Sequence, residues 1–295
     1  MTAAAELLRS WVLRRASPEG AAWFAETLAA LLHHPSDRAL YFALGFAPRR
    51  LGKADLALGE EELAQAAAVR PGWDPSDWSI DQAARLAFLL ARFDGDEAAF
   101  ARLLETLFVT ADIGELVCFY RGLPLYPGPQ LLLARAREGA RTSMRPVFEA
   151  VAHRNPYPAE HFDEAAWNQM ILKALFIGSR LWPIQRLDER RNPELARMLL
   201  DYAHERRAAG RPVDPELWRG VGPFATGPAL ADLARALDSS DPLERAAAVL
   251  ALSESPDPEA TTLLARAPEL AAAARSGRLD WAELGRQLSA RERLP

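Results

Sequence analysis

The sequence predicts an all-α protein, because three patterns recur along its 295 residues. Apolar side chains return at helical spacing, as Leu8, Trp11 and Val12 do in the first segment. Proline follows Ser or Asp where several segments begin, a combination that favours a capped first turn. No run of alternating β-branched residues indicates a strand. We therefore predict helix–turn–helix stacking of the α-solenoid or HEAT type, with a compact helical bundle as the alternative.

The N-terminal helical region, residues 1–109, reads as a row of short helices divided by proline and glycine turns. Ser17 caps a helix whose first residue is proline, and Ser79 opens a helix with a capping box. Residues 39–46 form a further helix. Residues 48–58 show no clear period, so we expect a loop there.

The middle region, residues 110–225, is organised around residues 154–178, which read RNPYPAEHFDEAAWNQMILKALFIG. Pro156 and Pro158 each restrict the backbone and bias the preceding residue toward extended conformations. We therefore expect residues 155–159 to be a defined loop that leads into a helix.

That helix, residues 163–178, is apolar on nearly every side, which is typical of a central and buried helix. It nevertheless carries Asn168, Gln169 and Lys173. Polar groups on a buried helix need partners or line a cavity. These three side chains are therefore candidates for a binding site.

The last region, residues 226–295, repeats one device at a spacing of 16 residues. Asp241 and Asp257 each stand before a proline and an Ala- and Leu-rich segment, as helix N-caps do. Short helices that begin in this way resemble HEAT-type repeats, so we predict a HEAT-like tail.

The composition excludes several classes of function. A formal net charge of −5 gives no electrostatic footprint for nucleic acid. One cysteine excludes an internal disulfide framework and a cysteine-based zinc site. No stretch approaches the roughly 20 apolar residues that a membrane-spanning helix needs. We expect a cytoplasmic protein with no transmembrane segment, and the absence of known cofactor motifs predicts neither cofactor nor metal.

Histidines and arginines around the proline-rich turn are the candidates for chemistry. His153 and His161 flank the turn, and with Asp163 they could make a small metal site or an acid–base pair, contact a ligand or make structural hydrogen bonds. Arg121, Arg141 and Arg145 could converge on an anionic or hydroxylated ligand, because guanidinium groups bind phosphate and carboxylate bidentately. The alternative is that these arginines satisfy helix ends and pair with nearby acids.

Three segments resemble the EboA family of bacterial proteins. They are TADIGELVCFYRGLPLYP (110–127), EGARTSMRPVFEAVAHRNPYPAEHFDEAAWNQMILKALFIG (138–178) and RRNPELARMLLDYAHERRAAGRPVDPELWRGVGPF (190–224). The resemblance implies a gene-cluster setting beside a UbiA-type membrane prenyltransferase and several soluble enzymes. It further implies a role in making or exporting a small secondary metabolite. It supplies no catalytic residues.

Two functions follow from this resemblance. The first is a helical binding or scaffold protein that holds a pathway intermediate or docks a cluster-encoded enzyme. The second is an enzyme of the same pathway that acts on a prenylated or phosphorylated, cyclitol-like small molecule, with Lys173, His153 or His161 as acid–base groups. The predicted ligand-binding residues are Arg121, Arg141, Arg145, His153, Asn155, Tyr157, His161, Asn168, Gln169, Lys173, Asn192 and His204.

Overall fold

The computed structural model describes residues 1–292. Within that range it contains eighteen α-helices, five short 3-10 helices and no strand, so the prediction of an all-α fold is confirmed. The chain divides into two compact units, the first from Met1 to Phe162 and the second from Asp163 onward. No helix among the described residues combines the length and the apolar content that a bilayer crossing requires.

Ten α-helices build the first unit. They are α1 (Ala3–Arg15), α2 (Pro18–His33), α3 (Asp37–Leu51), α4 (Glu60–Val69), α5 (Ile80–Leu90), α6 (Glu97–Thr110), α7 (Ile113–Arg121), α8 (Leu133–Gly139), α9 (Arg145–Ala152) and α10 (Tyr157–His161). Two 3-10 helices, Leu123–Leu125 and Pro129–Leu132, connect α7 to α8. The predicted caps of α2 and α5 at Ser17 and Ser79 are present.

Helix α5 is the centre of the first unit. All of its residues except Gln82 are buried, and α1, α3 and α7 pack against it. Three alanines, Ala83, Ala84 and Ala87, let the neighbouring helices approach closely, while Leu86 and Phe88 fill the space between them. A helix buried on every side needs partners for each polar group that it carries.

Two charged residues of α5, Asp81 and Arg85, are buried at 3% and 4% exposure. The Arg85 guanidinium donates from Nε to the backbone oxygen of Leu44 on α3, at 2.9 Å. It also lies 3.5 Å from an Asp81 carboxylate oxygen and 4.0 Å from one of Glu115 on α7. One buried cation therefore connects three helices.

The predicted loop at residues 48–58 is wrong in its first part, because α3 continues through Pro48 to Leu51. Proline has no N–H, so Pro48 cannot make the helical hydrogen bond to the oxygen of Leu44 four residues earlier. That oxygen is the acceptor of the Arg85 side chain. The buried arginine thus replaces the bond that proline removes, and the helix continues.

Residues 155–159 also differ from the predicted loop. Helix α10 begins at Tyr157, and Pro158 stands at the start of its first turn, where a missing N–H costs nothing. Only Asn155 and Pro156 remain outside it. The two prolines therefore end one helix and begin another.

The second unit contains the remaining eight α-helices. They are α11 (Glu164–Phe176), α12 (Pro193–Ala208), α13 (Trp218–Val221), α14 (Pro228–Leu237), α15 (Pro242–Glu254), α16 (Pro258–Leu264), α17 (Pro268–Arg275) and α18 (Trp281–Glu292). Helix α15 is its centre, since Ala246–Leu252 are all buried and α13, α14, α16, α17 and α18 pack against it. The caps at Asp241 and Asp257 are present, and the HEAT-like repeat stays a prediction.

The burial predicted for the helix at residues 163–178 is wrong on one side. Trp167, Met170 and Ile171 of α11 are buried, but Gln169 is exposed and Phe176 is 70% exposed. The apolar residues of α11 therefore do not all face the core.

Glu216 is a buried carboxyl group in the second unit, at 1% exposure. It accepts hydrogen bonds from the backbone N–H groups of Leu181 (3.0 Å) and Trp182 (2.6 Å), and an Arg180 nitrogen lies 3.5 Å away. Burial, with a contribution from nearby Asp214, raises the pKa of Glu216 from 4.5 to about 7.

We predict that Arg85→Met destabilises the protein by about 3–5 kcal/mol, because it leaves Asp81 and the Leu44 oxygen buried without their partner. In a Pro48→Ala background the backbone N–H returns to Leu44, and the cost of Arg85→Met should fall by roughly 1 kcal/mol. Urea unfolding of the four proteins of this double-mutant cycle checks the coupling. Additive changes would show that Arg85 does not substitute for the missing helical bond.

We also predict that Glu216 makes stability depend on pH. Its raised pKa means that the folded state holds the proton more tightly, so the free energy of unfolding falls as the pH rises from about 4.5 through 7. The loss is at most about 3 kcal/mol. Urea unfolding at several pH values should show a steeper fall for the wild type than for Glu216→Gln. Parallel curves for the two proteins would contradict the raised pKa of Glu216. The hydrogen bond lost in Glu216→Gln lowers its stability by the same amount at every pH, so it does not affect the comparison of slopes.

Candidate functional site

A cavity of about 410 Å³ lies in the first unit, between α6, α7, α8 and the segment that leads into α9. Its size is within the range of small-molecule sites, roughly 300–1,000 Å³. The lining residues are Phe108, Leu116, Tyr120, Arg135, Glu138, Gly139, Arg141, Thr142, Met144 and Val147.

The apolar part of this cavity depends on close contact between α7 and α8. The rings of Phe108 and Tyr120 stand with their centroids 4.8 Å apart. A Cβ atom at Gly139 would lie 2.6 Å from the Tyr120 ring and 2.8 Å from Val151, so only glycine allows α8 to approach this far. Burial raises the pKa of Tyr120 to about 12, and its hydroxyl is therefore neutral at physiological pH.

Arg135 crosses the cavity but its charge is neutralised. Its guanidinium lies over the Phe108 ring, 5.1 Å from the centroid, and pairs with Glu138 at 2.7 Å and with Glu105. The hydrogen bond with Glu105 raises the pKa of Arg135. These contacts stabilise the wall of the cavity, and Arg135 is therefore not an unpaired cation.

Arg141 is different. It lies exposed at the first turn after α8, beside Thr142, and within residues 1–292 its guanidinium forms no hydrogen bond or ion pair. Thr142 accepts a hydrogen bond from the Met144 backbone N–H at 3.2 Å, which shapes the segment between α8 and α9. The cavity therefore has one apolar wall, and in the described part of the chain Arg141 is a cation of its lining without a protein partner.

The other two predicted arginines of this unit have structural contacts. Arg121 donates to the backbone oxygen of Asp77 (3.0 Å), to its carboxylate (2.7 Å) and to the Gln82 side chain (2.7 Å). Arg145 is exposed and pairs with Glu149 at 2.7 Å. Neither lines the cavity.

The residues around the proline-rich turn make a connected hydrogen-bond set. Asn155 is 4% exposed, donates to the oxygens of Tyr120 and Ala150 (both 3.1 Å) and accepts from the Tyr157 N–H at 3.0 Å. Tyr157 donates its hydroxyl to the oxygen of Pro129. These contacts attach α10 to α7 and α9.

The two histidines flank this set. His161 contacts the Gln130 side chain at 3.1 Å and the Tyr157 ring at 4.4 Å between centroids, and burial lowers its pKa. His153 is half-buried at the end of α9. Cys118 is buried, and burial raises the pKa of its thiol to about 12.

The predicted residues of the second unit form two separate groups. Asn168 and Asn192 exchange hydrogen bonds at 3.1 and 2.9 Å, and Asn192 also caps α12. His204 lies 2.7 Å from a carboxylate oxygen of Asp232.

Two further predicted residues of α11 stand apart from these groups. Gln169 is exposed. Lys173 is half-buried, with its ammonium group 5.4 Å from the centre of the Phe176 ring.

Of the residues predicted from sequence in the first unit, Arg141 alone lines the cavity. Tyr120, Arg135 and Glu138 were missed. Arg135 and Glu138 lie three residues apart on one helix face, but this spacing is typical of an ordinary surface ion pair and does not indicate a binding site. Among the described residues, no group of three or more His, Cys, Asp or Glu side chains is placed to hold a metal ion.

Comparison with known proteins gives one match. The profile of a family described as metabolite traffic protein EboA matches residues 4–222, which is more than half of the chain and includes the whole cavity. Neither the curated proteins nor the solved structures contain a match. The chain therefore belongs to the EboA family of metabolite traffic proteins.

Proposed function

We propose that this protein binds a small metabolite in the cavity of its first unit and acts as a carrier or scaffold rather than as an enzyme. The observation that carries the proposal is the combination of an apolar wall with the Arg141 guanidinium, which is unpaired among residues 1–292. Such a site favours an amphiphilic molecule with one anionic or hydroxylated end.

The chemistry of the lining supports binding over catalysis at this cavity. Its ten residues include no His, Cys or Lys, and burial raises the pKa of the phenol of Tyr120 to about 12, which disfavours proton transfer at neutral pH. Thr142 has no adjacent base among these residues that would activate its hydroxyl.

The family membership supports a finer proposal about the setting. A metabolite traffic protein that binds an amphiphilic anion suits a pathway that makes or exports a prenylated or cyclitol-type secondary metabolite. We propose that the protein works in the cytoplasm, where it holds such an intermediate or presents it to a cluster-encoded enzyme.

We predict that Arg141→Gln weakens the binding of an anionic amphiphile by about tenfold or more, because a hydrogen bond to a charged group is worth roughly 1.5–3 kcal/mol. The probe is anilinonaphthalene sulfonate, followed by its fluorescence in titrations of purified protein. Leu116→Trp, which fills the half-buried apolar side of the cavity, should also weaken binding of the probe.

Arg145→Gln is the matched control, since Arg145 is a neighbouring exposed arginine that pairs with Glu149 outside the cavity. It should bind the probe as the wild type does. Equal losses in the two arginine variants would indicate general surface charge and would refute the site. Native mass spectrometry of protein from a host that carries the whole cluster then identifies the natural ligand by its mass.

A further inference from the structure

The exposed side of α3 carries a surface that the proposed function does not use. We call it the aromatic–basic ridge. It consists of Arg38, Tyr41, Phe42, Phe46, Arg49, Arg50 and the following Lys53, all of them exposed. The opposite side of α3, with Leu40, Ala43, Leu44 and Ala47, is buried.

The aromatic side chains of the ridge project into solvent. Phe42 is 53% exposed, Tyr41 40% and Phe46 38%, and Leu32 at the end of α2 adds a fourth large apolar side chain at 44%. Large apolar side chains are ordinary at a surface when scattered singly, but a contiguous group marks an interaction site. This group lies on one helix and its immediate neighbour.

The arginines of the ridge pack on the same rings. The Arg38 guanidinium lies 5.6 Å from the centre of the Phe42 ring, and Arg49 lies 5.6 Å from that of Phe46. The two rings are 6.2 Å apart. Cations therefore stand at both ends of an aromatic centre, at the level of the rings.

The charge of the ridge is opposite to that of the chain. The chain carries a net charge of −5, yet the ridge contributes four cations from Arg38, Arg49, Arg50 and Lys53. The acidic residue of α3, Asp37, pairs with Arg92 at 2.8 Å and does not neutralise them. This surface therefore complements an anionic partner.

Beside the ridge runs an apolar groove of about 330 Å³ between α2 and α3. Trp23, Thr27 and Leu31 form its α2 side, and Phe42, Phe46 and Arg50 form its α3 side. An arginine at the end of an apolar groove can bind a head group while the groove accepts hydrocarbon.

We propose that the aromatic–basic ridge docks the protein on the surface of an anionic lipid bilayer. In this arrangement α3 lies in the plane of the interface, with Tyr41, Phe42 and Phe46 inserted among the acyl chains. Arg38, Arg49, Arg50 and Lys53 then contact lipid phosphates. Helices with an aromatic centre and flanking cations bind anionic membranes in this way.

The geometry favours a bilayer over a protein partner. The ridge combines exposed aromatic rings with four cations, and a bilayer interface offers acyl chains to the rings and phosphates to the cations. A partner helix would have to lay its apolar face in the hydrophobic groove, and that groove does not include Arg38, Tyr41 or Arg49 in its lining. This proposal does not depend on the metabolite site, since none of its residues lines that cavity.

Flotation of the full chain with lipid vesicles tests the proposal. The wild type should float with vesicles of phosphatidylcholine and phosphatidylserine, stay unbound with vesicles of phosphatidylcholine alone, and dissociate as the salt concentration rises. Neutralising Arg49 and Arg50 to Gln should weaken binding about fivefold for each arginine. The double variant Phe42→Ser and Phe46→Ser should reduce it more strongly, at least tenfold.

Phe176→Ser is the matched control, because Phe176 is 70% exposed and has a cation, Lys173, over its ring, but lies on α11. It should bind vesicles as the wild type does. Circular dichroism and urea unfolding should show that the ridge variants fold normally, since the changed side chains are exposed.

Three outcomes would overturn the proposal. They are a wild type that does not float, equal binding to neutral vesicles, and ridge variants that bind as well as the control. A wild type that self-associates in light scattering, with dissociation caused by the ridge substitutions and no flotation, would assign the same surface to a second copy of the chain instead.

Discussion

The first unit depends on one buried guanidinium. Arg85 lies on α5, the central helix of this unit. Its guanidinium donates to the Leu44 oxygen, which has no helical donor because residue 48 is proline. A proline inside a helix ordinarily breaks it, and a buried arginine is ordinarily costly. In this protein the two costs offset each other. The Leu44 oxygen, which lacks a helical donor, accepts the hydrogen bond that the buried Arg85 guanidinium donates. The pair also keeps α3 helical across the aromatic–basic ridge.

The cavity of the first unit depends on a second close contact between helices. Gly139 lets α8 lie against Tyr120, and Asn155 fixes the segment after α9 by binding the oxygens of Tyr120 and Ala150. Both contacts hold Tyr120, so the cavity wall is attached to the unit from two sides. Arg141 lies beyond these contacts, and no acid among residues 1–292 forms an ion pair with it. A preformed cavity with an apolar wall and such a cation can select a ligand without any large movement of the helices.

The sequence correctly predicted the features that depend on hydrogen bonds between neighbouring residues. The caps at Ser79, Asp241 and Asp257 bond groups within three residues, so their residue types alone predicted them. The prediction of a loop at Pro48 was wrong because the side chain that stabilises the helix there, Arg85, lies on another helix. Arg121 met the same difficulty, because its partner Asp77 lies 44 residues earlier in the chain. Arg145 instead pairs with Glu149 on its own helix, as the alternative interpretation of these arginines allowed.

The sequence by itself determined the fold class, the positions of most helices and the family, because helical periodicity, caps and sequence motifs are properties of neighbouring residues. Only the tertiary structure decided which helices are central, since α5 and α15 are distinguished from α11 by what packs on them rather than by how apolar they are. It also decided which arginines are paired. Burial and pairing arise between residues far apart in the chain, and a single sequence does not record those distances.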